Sequence, residues 1–152
     1  MNQQQKIAEW ILRVGVFGSF LGHGIFALGV KQGWIPLITA FGFSESTAIT
    51  MLPIIGTVDI VVAILALIWP IRLVLIYATL WAFATALARP IAGDPIWDFV
   101  ERTANWATPL ALLILQGVPK KLKDIFTVKL QPQISTKRAG HTEKPFLSKE
   151  LL

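Results

Sequence analysis

The sequence predicts an all-α integral membrane protein: a four-helix bundle with short loops and a basic C-terminal tail. Three observations predict it. Hydrophobic residues make up 54% of the 152-residue chain and charged residues only 15%, against about 25% charged in an ordinary soluble domain. The apolar residues gather in four stretches, 10–30, 47–69, 71–87 and 97–117, each close to the ~20 residues that cross a ~30 Å hydrocarbon core. The connections between them are too short to hold a soluble domain, so 1–118 forms the membrane bundle and 119–152 the tail.

The first span carries Gly15, Gly18 and Gly22 on one stripe, and "GSFLG" from Gly18 to Gly22 matches GxxxG. Small side chains let helix backbones approach closely in lipid, so this stripe predicts close helix packing. Arg13 has Glu9 one turn before it and snorkels toward the interface. No small-residue cleavage pattern precedes Lys31, which reads as a retained span rather than a signal peptide. The second span has a small face of Gly56, Asp59 and Ala63, with Pro53 near its start, where a missing N–H costs little. The third runs between Arg72 and Arg89. The fourth begins "WDFVERTANW" at Trp97 and continues as apolar "ATPLALLILQG", one helix with two charged opening turns.

After Pro119 the stretch "KKLKDIFTVKL" sets Leu122, Ile125, Phe126 and Leu130 near one helical face, among lysines. Two readings stand: a short interfacial helix on anionic lipid headgroups, or a snorkelling stop signal with a frayed end. From 131 onward the chain is polar and broken by proline, which reads as disorder, with His141 solvated.

Of the 14 Lys and Arg, 11 fall on the side of the termini and 3 (Lys31, Arg89 and Arg102) on the other. Positive charge favours the cytoplasmic side, so both termini are expected in the cytoplasm of a bacterial inner membrane, with loops 31–46 and 88–97 outside. Trp10 and Trp69 then mark the inner interface and Trp34 and Trp97 the outer one, while Trp81 and Trp106 lie deeper and read as packing. The net charge of +5 sits mostly in the tail, which points to headgroups and not to nucleic acid. The absence of cysteine excludes thiol exchange, thiolate metal sites and iron–sulfur ligation by this chain. A single histidine within the spans excludes bis-His haem in one subunit. No covalent or metal cofactor is expected.

Ionisable groups inside spans are expensive and are functional candidates by default. At the helical rise, His23 and Asn105 each lie about 12 Å below the outer end of their spans, and Asp59 about 20 Å below. Arg89 and Asp94 cap outer ends. Asp98 and Arg102 are one turn apart, as are Glu101 and Asn105, so all four share a face. Lipid cannot satisfy that face. It is either the wall of an outward cavity or a pair of structural ion pairs, Asp98–Arg102 and Glu101–Arg89. His23 is either a core histidine bonded to Asn105 or a threonine, or a group that binds a carbonyl or relays protons. Asp59 is expected either to pair with His23, Arg72 or Arg13, or to carry protons.

"LRVGVFGSFLGHGIFAL" resembles the first helix of the DoxX-like membrane proteins, in which a His-Gly pair follows a glycine-rich run. "LPIIGTVDIVVAILALI" is similar to their second helix, whose acidic residue falls at Asp59. The resemblance covers roughly 10–118. The lysine common soon after the His-Gly in that family has no counterpart in Ile25-Phe26-Ala27-Leu28, and the acid here is Asp rather than the more usual Glu. The resemblance implies a membrane subunit or accessory of a quinone-linked redox system, with other membrane redox subunits as partners and a quinone as the ligand. The expected outward cavity is lined by His23, Asp59, Arg89, Asp98, Glu101, Arg102 and Asn105. A proton-coupled small-solute carrier and an assembly partner without chemistry are the alternatives.

Overall fold

The computed structural model describes residues 2–128, and every regular element among them is helical. The expected disorder after 131, His141, and Leu130 lie outside the described residues. Helix α1 (Gln3–Leu28) opens on a capping box: Asn2 Oδ1 accepts from the Gln5 amide at 2.8 Å, and Gln5 Oε1 accepts from the Asn2 amide at 3.1 Å. It closes in a Schellman turn in which the Val30 and Lys31 amides donate to Ala27 and Phe26 carbonyls. Val30 sits at φ 48°, a region that β-branched residues seldom adopt. A 3-10 turn at Gln32–Trp34 and helix α2 (Ile35–Thr39) fold across that end. Helix α3 (Glu45–Ile68) starts where Ser44 Oγ accepts from the Thr47 amide at 3.2 Å. Helix α4 (Arg72–Ile91) follows, then α5 (Ile96–Val100) and α6 (Thr103–Gln116).

Three of these helices, α1, α3 and α4, are long and apolar enough to cross a membrane. The fourth stretch differs from expectation, because 97–117 is not one continuous helix. It breaks between Val100 and Thr103, leaving α6 with 14 residues. Side chains compete there for backbone carbonyls. Arg102 NH1 donates to the Asp98 carbonyl at 2.7 Å, and Thr103 Oγ1 donates to the Val100 carbonyl at 2.7 Å.

Helix α1 packs along α3, α4 along α6, and α1 also meets α6. The core between them is Val16, Phe20, Val62, Ala63, Ala66, Val74 and Ala78. The closest backbone approach is at Gly24 and Gly56. A Cβ on Gly56 would lie 2.6 Å from the Gly24 carbonyl oxygen, and one on Gly24 would lie 2.9 Å from that of Gly56. The expected seam at Gly18 and Gly22 is not used, since both face open space. The side-chain-free Cα positions at 24 and 56 face each other across the helix pair, and 18 and 22 do not.

One end of the bundle holds the start of α1, the end of α3, the start of α4 and the end of α6. Arg13 bonds Glu9 and donates to the Leu67 carbonyl at 3.3 Å. Arg72, buried, donates to the carbonyls of Gly117 at 2.6 Å and Gln116 at 2.7 Å. It also reaches the Asp124 carbonyl at 3.2 Å and Thr127 Oγ1 at 3.1 Å. Cations at a helix C-terminus complement its unbonded carbonyls. The stretch after Pro119 is a 3-10 turn at Leu122–Phe126, not an α-helix, and Leu122 and Phe126 are exposed on it.

Candidate functional site

A cavity of about 310 Å³ lies at the opposite end, where the inter-helix loops gather. Small-molecule sites run from about 300 to 1,000 Å³. Helices α1, α3, α4 and α6 form its walls, and α2 with the loop after it contributes Leu37, Ile38, Phe41 and Phe43. The lining is mostly apolar and aromatic, with polar groups at separate points.

Five of the seven residues singled out from the sequence line this cavity: His23, Asp59, Arg89, Arg102 and Asn105. They come from α1, α3, α4 and the α5–α6 junction. Asp98 and Glu101 do not line it. The helix break is the reason, because residues 98, 101, 102 and 105 no longer share one helical face. Arg102 takes the backbone carbonyl of Asp98, not its carboxylate, and bonds the exposed Glu101 side chain. Arg89 faces Asp94 at 3.6 Å and not Glu101. The expected ion pairs Asp98–Arg102 and Glu101–Arg89 are therefore replaced by Glu101–Arg102 and Arg89–Asp94.

The close approach of α1 and α3 sets the level of His23 and Asp59 on the cavity wall. A Cβ on Gly24 would lie 3.2 Å from the Ile60 amide nitrogen. His23 precedes Gly24 and Asp59 precedes Ile60, so the crossing brings both to one level of the wall. His23 Nδ1 lies 2.8 Å from the Ser19 carbonyl oxygen, and its ring stacks on Trp34 with centroids 5.5 Å apart and planes 20° apart. The expected bond from His23 to Asn105 or a threonine is not formed; its own helix supplies the acceptor.

Asp59 is 4% exposed. The Trp81 indole lies beside its carboxyl on the cavity wall, and Oδ1 has no partner. Neither Arg13 nor Arg72 reaches it, because both are bonded at the terminal end. Trp34 Nε1 is likewise buried without a partner. Lys31 sits over this corner, with Nζ 4.5 Å from the Phe26 ring centre and 5.3 Å from that of Trp34.

Trp34 and Trp81 belong to the site, although sequence reasoning placed one as an interface anchor and the other as packing. For Trp81 a signal existed: an indole deep in a span needs an acceptor, and Asp59 lies at a similar depth. Trp34 carried none, because it depends on how α2 folds back. Among the described residues no three His, Asp or Glu side chains gather as metal ligands would.

Fold and site together define an all-helical protein with three membrane-length helices and an apolar cavity holding a buried acid. Comparison with family models, with curated proteins and with solved structures finds no match for this chain.

Proposed function

We propose that the chain is a DoxX-like inner-membrane protein that crosses the bilayer four times and serves as a subunit or accessory of a quinone-linked redox system. Its loop-end cavity holds a quinone-class molecule and faces away from the cytoplasm. The observation that carries this reading is the buried Asp59 oxygen left without a partner on the wall of a mostly apolar cavity. A buried polar atom is normally satisfied, and the hydroxyl of a quinone-class ligand in its reduced, quinol form is a donor that would satisfy this one.

The fourth crossing combines α6 with the turn and α5 before it. Fourteen residues of α6 reach only about 21 Å, short of a ~30 Å core. Irregular backbone is tolerated at membrane depth where it lines a cavity, and Arg102 in that turn does line one. The 11-to-3 split of basic residues orients the bundle with both termini in the cytoplasm. A reporter active only in the cytoplasm should work when fused after Leu152 and stay silent when inserted within 36–44. The reverse pattern would turn the cavity toward the cytoplasm.

Solvent extraction of the purified full chain tests the ligand. A quinone should be recovered near one per chain and should be lost from Ala84→Phe, which fills the cavity. Extracts with no quinone above the detergent blank would remove the redox reading. The second reading, a proton-coupled small-solute carrier, draws on the same Asp59 oxygen, since a proton would also satisfy it. Flux driven by a proton gradient in proteoliposomes, absent from Asp59→Asn, would put that reading first.

A further inference from the structure

The polar groups on the cavity wall are not interchangeable, and their hydrogen-bonding capacities differ in sign. His23 Nδ1 faces the Ser19 carbonyl oxygen at 2.8 Å. A carbonyl oxygen only accepts, so Nδ1 carries the proton, and in the neutral ring Nε2 is a bare acceptor. No described residue bonds Nε2. Stacking on Trp34 holds the ring plane. Asp59 presents a second acceptor. Its Oδ1 is unpartnered, and a carboxyl keeps an accepting oxygen in either protonation state. The Gly24–Gly56 crossing brings these two acceptors to one level.

Charge narrows the class further. Two guanidiniums, Arg89 and Arg102, line the same cavity, each paired with a carboxylate outside it, Asp94 and Glu101. Their charge is already offset, so neither guanidinium calls for an anionic ligand. An anion seated deep enough to reach His23 would meet the Asp59 carboxyl. The remaining surface is apolar, with Phe20, Phe41, Phe43 and Trp81 among aliphatic side chains, and a ring packs favourably against those aromatic groups.

We infer that the cavity selects a neutral ring-bearing molecule with a hydrogen-bond donor, a phenol-class hydroxyl, whose one proton is received by His23 Nε2 or by Asp59. This rests on the reading of the cavity as a ligand site and goes beyond it by fixing the polarity of the head group. A hydroxylated ring satisfies one of the two acceptors; the same ring with its hydroxyl capped satisfies neither.

Titration of the full chain in detergent micelles tests this, with a 4-alkylphenol, its methyl ether and a ring-matched trimethylammonium compound as probes, followed by tryptophan fluorescence. The phenol should bind about tenfold more tightly than the ether, the usual scale for one hydrogen bond to a charged group. The double variant Asp59→Leu with His23→Phe, the second of which keeps a ring against Trp34, should bring that ratio toward one. Equal binding of phenol and ether by the wild-type protein would overturn the donor inference and leave the cavity reading in place. Tightest binding of the trimethylammonium compound would also overturn it. If none of the three probes binds, the ligand-site reading falls and the inference falls with it. The wild-type ratio decides the matter even where a variant fails to fold.

Discussion

The two ends of the helix bundle treat buried polar groups in opposite ways. At the terminal end the buried charges are bonded into the architecture. Glu9 holds Arg13, which also takes the Leu67 carbonyl, and Arg72 ties the end of α6 to the turn that follows it. At the loop end the buried acid keeps an oxygen unpartnered, as does the Trp34 indole nitrogen. A cavity is present there as well. Gln116 is the exception at the terminal end: its amide is buried without a partner, and the cavity does not reach it. The difference separates polar groups that hold helices together from polar groups held ready for something else. Charge at the first end should govern stability, and charge at the second should govern binding.

The largest effect is expected from Arg72→Ala. The change frees the Gln116 and Gly117 carbonyls and unties the 122–126 turn. Breaking a buried charged network of this kind costs about 3–5 kcal/mol, which unfolding in mixed micelles would read. A loss below about 1 kcal/mol would mean that water replaces the guanidinium, and the contrast between the ends would disappear.

Gly56→Ala comes next, and it joins stability to binding. Its Cβ would meet backbone atoms, the Gly24 carbonyl oxygen at 2.6 Å and the Leu28 amide nitrogen at 2.7 Å. Neither can swing aside, so α1 and α3 must separate, at about 1–3 kcal/mol. The separation also pulls His23 away from Asp59, so phenol binding should weaken in the same variant. Gly18→Ala, at a position that faces open space, is the control and should leave both readouts unchanged.

A smaller difference is expected between Arg102→Ala and Asp98→Ala. Arg102 bonds the Asp98 backbone carbonyl, which survives the loss of the Asp98 carboxylate. Thermal melts should show a loss of about 1 kcal/mol for Arg102→Ala and almost none for Asp98→Ala. Equal and substantial losses would restore the side-chain ion pair that the sequence spacing implied.

Much of the fold was legible in the sequence because lipid enforces simple rules. Helices α1, α3 and α4 fall where apolar runs of membrane length stand, and His23, Asp59 and Arg89 within them collect on the cavity. The break at 100–103 was hidden. The i,i+4 spacing of Asp98 and Arg102 describes a continuous helix equally well, and only the capture of carbonyls by Arg102 and Thr103 undoes it. The packing glycines were misplaced for a similar reason. GxxxG at 18 and 22 is a property of one helix, whereas the contact at Gly24 and Gly56 depends on which face the partner helix presents. Trp34 entered the site through the path of a loop, which no periodicity encodes.

The account stands most directly on Asp59, and one melt in detergent without added ligand tests it. Asp59→Leu removes the unpartnered oxygen and its desolvation, at the expense of the polar contact with the Trp81 indole. Those opposing effects leave stability within about 1 kcal/mol of wild type, or above it. A group kept for a ligand should behave in this way. A fall as large as that of Arg72→Ala would instead make Asp59 part of the architecture and contradict the claim that the loop end is a binding site.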